Sequence, residues 1–149
     1  MRTTSFAVCA FLLAIAAAPG KEEKKIPPPE TAKTQADALK LARTADLPAI
    51  EMADEAVIVE VAKRGGMKVT ILDKALTSVR KDLVLKDTPP TAGETTWTIT
   101  FYRGAKVVRK VWVYSNGEWG VERPQGPHWT LGSNKALAEK IARIIQGAG

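Results

Sequence analysis

Histidine and cysteine, the residue types that most often act as general bases, nucleophiles or metal ligands, occur once each in this chain of 149 residues, as His128 and Cys9. A lone histidine can serve as a general base or as one metal ligand, but no second histidine is available to complete a tight transition-metal site. His128 stands in the sequence Gly126-Pro127-His128-Trp129, beside an aromatic residue, which favours loop packing or solvent exposure over catalysis. The sequence therefore predicts no metal, no cofactor and no catalytic residue.

Carboxylate pairs are the other groups that could do chemistry. Asp54 with Glu55, and Glu118 with Glu122, could supply the two acids of a glycosidase. Surface acids on a sheet are common, however, and the sequence shows no cleft around them. No serine lies in a G-x-S-x-G or S-x-x-K motif, and no glycine-rich phosphate loop is present. A small extracellular hydrolase that uses His128 or these carboxylates is therefore the alternative function.

Basic residues gather near two predicted hairpins. The chain has 22 Lys and Arg against 16 Asp and Glu, a net charge of +6, and a basic surface favours polyanions through counterion release. If the two hairpin tips meet at one end of the sheet, they form a basic rim able to hold an anionic polymer; otherwise they are two solvated turns. The candidate polyanion-binding residues are Lys63, Arg64, Lys68, Arg103, Lys106 and Arg109.

The N-terminus has the composition of a secretory signal peptide. Residues 6–18 carry no charge, and a run of about 13 residues is too short to span a membrane but fits a signal-peptide core. We expect residues 1–18 to be removed on export, which leaves no transmembrane segment and places the mature protein in the periplasm or outside the cell. An uncleaved anchor or a buried helix is the alternative. Cleavage removes Cys9, and with it disulfides and thiol chemistry, and export argues against nucleic acid as a partner.

Residues 19–33 are predicted to be a spacer. Their core, KEEKKIPPPETAK (21–33), has mixed charges and three consecutive prolines. We expect such a segment to bury nothing and to stiffen as polyproline II. A proline-rich stretch can also be a ligand for an aromatic groove, but a spacer between the cleavage site and the fold is the favoured interpretation.

Residues 34–45 are predicted to form the first helix. The segment contains good helix formers, and Thr34 is a plausible N-cap. Leu47-Pro48 should end the helix, because the residue before a proline avoids the α region. The residues expected to face inward are Leu39, Ala36 and Ala42.

Two further segments have helical periodicity. Lys74–Leu83 should form a helix with Asp73 as its N-cap, and a last helix should follow Ser133 or Asn134 as its cap and end at Gly147. The predicted apolar stripes are Leu76, Val79 and Leu83 in the first of these helices, and Leu137, Ala138, Ile141, Ile144 and Ile145 in the second.

A first hairpin is predicted from residue 55 to residue 72. Valines alternate along its first strand, and Arg64-Gly65-Gly66 separates that strand from the next. If these three residues form the loop, the strands have a defined register. The expected pairs are Lys63 with Met67, Val61 with Val69, and Val59 with Ile71.

Three more strands are predicted between residues 97 and 123. Two-residue turns at Gly104-Ala105 and at Asn116-Gly117 join them, and Asn-Gly is the strongest short hairpin signal. The resulting pairs are Phe101 with Val108, Trp97 with Trp112, Tyr114 with Trp119, and Trp112 with Val121. One face is then apolar, and the other, which carries Arg109, is mostly wet. The predicted apolar face consists of Trp97, Ile99, Phe101, Val108, Trp112, Tyr114, Trp119 and Val121.

The predicted order of elements is α-ββ-α-βββ-α. A sheet with one apolar face and helices with one apolar stripe each can bury both only by stacking. The sequence therefore predicts a single α+β domain over residues 34–149: a two-layer sandwich in which helices pack on one face of an antiparallel sheet made of a hairpin and a three-stranded meander. For function, it predicts an exported, non-catalytic binding or interaction module, with an envelope or extracellular protein or an anionic polymer as its partner.

Overall fold

The computed structural model describes residues 25–61, 63–87 and 94–149, so the predicted signal peptide lies outside the described residues. The helices are α1 (Gln35–Leu41), α2 (Leu47–Glu51), α3 (Asp73–Asp82) and α4 (Lys135–Gly147), with a π-helical segment (Ala42–Asp46) between α1 and α2. The strands are β1 (Glu55–Glu60), β2 (Lys68–Ile71), β3 (Thr95–Arg103), β4 (Lys106–Tyr114), β5 (Glu118–Val121) and β6 (Gly132–Ser133). They form one antiparallel sheet in the order β2-β1-β3-β4-β5-β6. The predicted α+β fold is confirmed, with the short β6 as an addition.

One hydrophobic core joins the helices to one face of the sheet. The predicted stripes of α3 and α4 enter this core, because Val79, Leu137 and Ile141 are fully buried. β3 contributes Trp97, Ile99 and Phe101, also as predicted. No helix in the described part of the chain has the length and apolar character needed to cross a membrane.

The first helix does not end before Pro48. It continues through the π-helical segment into α2, where Pro48 lies in the first turn. The N–H of Leu47 donates to the carbonyl of Ala42, five residues back, and this wider turn accommodates a proline ring that would clash inside a regular helix. The buried residues of this stretch include Ala38 and Ala42, whereas Leu39 is only half-buried and Ala36 is exposed.

The register of the first hairpin is three residues away from the predicted one. Val59 lies opposite Lys68, and Ala56 lies opposite Ile71. The predicted register would have placed Val59, and not Ala56, opposite Ile71. The observed register instead buries Ile58 in the core beside Ile99, because a shift by an odd number of residues exchanges the two faces of a strand.

A β-bulge in β4 changes the predicted meander. The turn at Gly104-Ala105 is as predicted, and Tyr102 lies opposite Val107. Phe101 then lies opposite Arg109, so Val108 is an extra residue on β4. Beyond the bulge, Trp97 faces Val113 and not Trp112. The core therefore receives Val111 and Val113, and Trp112 lies on the other face.

The Asn-Gly turn is also one residue longer than predicted. Gly117 has a φ of 90°, and its N–H donates to the carbonyl of Tyr114 over 3.0 Å, whereas Asn116 does not have positive φ. This is a three-residue loop in which only the last residue is left-handed. Trp119 consequently lies opposite Val113, and the predicted pair of Tyr114 with Trp119 is wrong.

Two of the three predicted helix caps are confirmed. The Thr34 side chain accepts from the N–H of Asp37, and the Asn134 side chain accepts from the N–H of Ala136. Asp73 is not an N-cap, because it forms the first residue of α3 and makes no capping bond. It is the one non-glycine residue of the described chain with positive φ, 47°, a conformation that the short polar side chain of Asp tolerates.

We expect Asn134→Ala to lower the free energy of unfolding by about 1–2 kcal/mol. The substitution removes the cap of α4, and it also removes the bond from Asn134 Nδ2 to the carbonyl of Asp82, which is 3.0 Å long. Urea unfolding of the Asn134→Ala and Thr34→Ala variants provides the measurement. Thr34 is the matched control because it caps α1 without a second bond between helices. An equal loss in both variants would show that the bond to Asp82 contributes nothing.

Candidate functional site

A buried ionic centre lies between the helices and the sheet. It consists of Asp46, Arg109 and Arg123, and we call it the Asp46 centre. Arg109 Nε is 2.7 Å from Asp46 Oδ1, and Arg123 Nη2 is 2.7 Å from Asp46 Oδ2. The side chains of all three residues are at most 4% exposed. One carboxylate therefore binds two guanidinium groups out of contact with water.

Two irregularities of the backbone build this centre. The bulge in β4 places both Val108 and Arg109 on the helix side of the sheet, whereas regular alternation would turn one of them to solvent. Asp46 is the last residue of the π-helical segment, and such segments occur often at functional sites. The predicted position of Arg109 on the wet face is therefore wrong, because the register changes at Val108.

The same arginines hold the proline-rich segment, residues 25–33, which we call the strap. Arg109 Nη1 donates to the carbonyl of Pro27 over 2.7 Å, and Arg123 Nη1 donates to that of Glu30 over 2.8 Å. Trp129 Nε1 donates to the carbonyl of Ala32 over 3.1 Å, and Ala32 is 2% exposed. The expectation that this segment buries nothing is wrong for its described part.

The Asp46 centre carries an excess of positive charge. Two guanidinium groups face one carboxylate, and several kcal/mol are needed to take each ion out of water. Main-chain oxygens of Pro27, Glu30 and Val108 provide further partial negative charge. Arg109 Nη2 is buried and has no hydrogen-bond partner in the described part of the chain. The centre therefore keeps a net positive charge within the fold.

A depression in the surface lies next to the Asp46 centre. Its volume is about 430 Å³, and Arg109, Arg123 and Lys110 contribute to its lining together with Glu122 and Pro29. Lys110 Nζ is 3.0 Å from Glu122 Oε2, but both side chains are nearly half exposed, and such a surface pair is weak. Lys110 can therefore give up its ion pair with Glu122 and bind an external anion instead. We call this feature the Lys110 depression.

The two basic hairpin tips do not form one rim. Glu60 of β1 lies opposite Trp97 of β3, and Glu55 lies opposite Tyr102, so the tip after β1 and the tip after β3 lie at opposite ends of the sheet. The six residues of β1 separate the two tips by roughly 17 Å. Lys63, Arg64 and Lys68 therefore lie at one end, and Arg103 and Lys106 at the other. The condition for a common basic rim is therefore not met, and the alternative of two separate turns describes the arrangement.

The candidates for catalysis are also spread over the fold. His128 is exposed, and its ring lies perpendicular to that of Trp112 with the ring centroids 6.3 Å apart. Glu118 is 3% exposed, whereas Glu122 is exposed and paired with Lys110. Asp54 accepts a hydrogen bond from the N–H of Gly104 and so fixes the turn after β3. Over the described ranges, no three His, Cys, Asp or Glu side chains are placed to hold a metal ion.

The sequence analysis identifies neither Asp46 nor Arg123 as a site residue. A signal for Asp46 was present: Ala38, Ala42 and Asp46 follow one another at the four-residue spacing of one helix face. An acid on the buried face of a helix calls for a buried cation. No local pattern identifies Arg109 as that cation, because the bulge has no signature in the residues around Val108.

Comparison of the chain with known protein-family models, with curated proteins and with solved structures finds no match.

Proposed function

We propose that the mature chain is an exported, non-catalytic binding module that takes an anionic polymer at the Lys110 depression. The observation that carries this proposal is that Arg109, Arg123 and Lys110 contribute to the lining of one surface depression. Arg109 and Arg123 belong to a centre that holds more positive than negative charge. An anionic group in the depression compensates this excess.

The arginines are held in place before any ligand arrives. Asp46 fixes both guanidinium planes, and the strap carbonyls fix them from the other side. A binding group that is already ordered loses little entropy when it binds. The planar guanidinium also matches the oxygens of a carboxylate or phosphate group. Lys110, at the rim, adds a more flexible positive charge.

Apolar surface surrounds these charges. Val107 is 55% exposed beside the depression, and Pro29 and Pro124 form part of its wall. Apolar walls exclude water and strengthen the attraction between fixed charges. They also offer contact area to the backbone of a polymer. The arrangement, a few placed polar groups in an apolar concavity, is typical of binding sites.

The test is the affinity of the mature chain for short-chain inorganic polyphosphate, followed by intrinsic tryptophan fluorescence at low and near-physiological salt. We expect Lys110→Glu to weaken binding about thirtyfold at low salt, because a lysine at an anionic surface contributes about 1 kcal/mol and the substitution replaces this attraction by a repulsion of about the same size. The wild-type affinity should fall about tenfold between the two salt concentrations.

Lys135→Glu is the matched control. It makes the same change in net charge at a side chain that is 85% exposed on α4. Lys63→Glu and Lys106→Glu test the two hairpin tips in the same way. An equal loss of affinity in all four variants would show that binding depends only on the net charge of the protein, and it would contradict the proposal. Binding that is insensitive to salt would contradict it as well.

A further inference from the structure

We propose that the surface under the strap is a recognition site for an extended, proline-containing peptide of another protein, and that the strap is its intramolecular occupant. The surface shares Arg109 and Arg123 with the Lys110 depression, but its cavity beside Ile26 and Pro27 has no residue in common with that depression. The inference does not depend on polyphosphate binding. The partner has an apolar residue directly before its first proline and a small residue five positions after that proline, as the strap has in Ile26, Pro27 and Ala32.

The site recognises the main chain of its occupant. Three side chains of the domain, Arg109, Arg123 and Trp129, donate to three strap carbonyls. Pro27 and Glu30 are three residues apart, which matches the three residues per turn of a polyproline II helix, and both of their carbonyls accept from arginines of the Asp46 centre. Consecutive prolines hold this shape at little entropic cost, and a tryptophan N–H is a common donor to such ligands. Any segment of the same shape can make the three bonds.

The strap does not fill the site completely. Ile26 packs against the core but is only half-buried. Beside Ile26 and Pro27 lies a cavity of about 270 Å³, whose other walls are Ala45, Pro48 and Met52 among neighbouring residues of the first helix. A phenylalanine side chain at the position of Ile26 would extend into this space. The structure therefore predicts that a foreign segment with a larger apolar residue binds better than the strap sequence itself.

Covalent attachment favours binding of the strap over binding of a free peptide with the same sequence. A tethered segment acts at an effective concentration in the millimolar range, so a free copy of the same sequence competes poorly. A partner peptide competes by burying more apolar surface in the cavity. The two-residue bend at Lys33 and Thr34 joins the strap to α1, and both residues are exposed. Displacement of the strap frees the chain around this bend to adopt the extended conformation that a protease cleaves.

The test uses the full mature chain and three labelled, lysine-free peptides. They are Phe-Pro-Pro-Pro-Glu-Thr-Ala, the strap sequence Ile-Pro-Pro-Pro-Glu-Thr-Ala, and a scrambled form of the first. Fluorescence anisotropy gives the affinities, and the rate of tryptic cleavage after Lys33 reports displacement of the strap. We expect the phenylalanine peptide to bind at least about fivefold more tightly than the isoleucine peptide and to accelerate cleavage.

One variant separates this site from the anion site. Ala45→Leu fills the cavity and should remove the preference for phenylalanine, while it should leave the affinity for polyphosphate unchanged, because Ala45 does not line the Lys110 depression. Equal binding of the scrambled peptide would overturn the proposal. Binding of the phenylalanine peptide without faster cleavage after Lys33 would also overturn it, because the peptide would then occupy a different surface.

Discussion

Asp46→Ala is expected to lower the free energy of unfolding by about 3–5 kcal/mol. The substitution removes the only acid of the Asp46 centre and leaves Arg109 and Arg123 buried with reduced compensation. An uncompensated buried charge costs far more than the loss of a surface ion pair. Urea unfolding followed by tryptophan fluorescence measures the loss. The midpoint of the transition should move to a lower urea concentration, while the slope of the unfolding free energy against urea concentration stays the same.

The control for this prediction is Asp87→Ala, which removes an exposed acid and should change stability by no more than about 0.5 kcal/mol. A triple variant that removes all three charges should recover the lost stability for the same reason. Asp46→Leu combined with Arg109→Met and Arg123→Met replaces the whole centre by apolar side chains and should restore most of the stability, because the desolvation of three ions is no longer needed. A loss below about 1 kcal/mol in Asp46→Ala would show that water compensates the arginines.

Gly120→Ala should lower the free energy of unfolding by at least about 1–3 kcal/mol. Gly120 lies opposite Trp112 on the neighbouring strand. A Cβ atom at Gly120 would collide with the indole ring of Trp112 and with the carbonyl oxygen of Trp129. The Trp112 side chain is 5% exposed, so it cannot simply rotate into water. The substitution therefore displaces either the ring or the segment that carries the Trp129 donor.

Gly147→Ala is the matched control, because a Cβ atom at that position meets nothing within 4 Å and Ala is the better helix former. It should be neutral or slightly stabilising. The near-ultraviolet circular dichroism of Gly120→Ala should change as well, since the Trp112 and Tyr114 rings lie 4.8 Å apart. An unchanged spectrum with unchanged stability would contradict the close packing of Trp112 on Gly120.

The parts of the fold that the sequence predicts well are those fixed by local periodicity. The apolar stripes of α3 and α4 follow from spacings of three and four residues, and Val79, Leu137 and Ile141 are fully buried. The alternation of Trp97, Ile99 and Phe101 places all three in the core. The number and order of the main elements follow from these patterns, because an apolar face and apolar stripes have few ways to stack.

Register is the part that local pattern does not determine. A slip of one residue exchanges the faces of a strand, and the extra residue Val108 causes such a slip in β4. Two errors follow directly: Trp112 was assigned to the core, and Arg109 to the wet face. The candidate site depends on the same bulge. It could be predicted only in part, through the acid at the helical spacing of Ala38 and Ala42.

Pro48 gives a similar lesson for the helices. The avoidance of the α region before a proline predicts a helix end, and in most sequences this is correct. Here a π-helical turn accommodates the proline, and the helix continues to Glu51. The cost of the irregular turn is offset by burial of Ala49 and Ile50, contacts between distant parts of the chain that no local window contains.

The most direct test of the proposed function is a titration of the ¹⁵N-labelled protein with short-chain inorganic polyphosphate, followed through the side-chain Nε–H resonances of its arginines. If the polymer binds at the Lys110 depression, the resonances of Arg109 and Arg123 shift and saturate with the affinity measured by fluorescence, while those of Arg64 and Arg103 at the two hairpin tips stay in place. Saturable shifts confined to Arg64 or Arg103 would contradict the account.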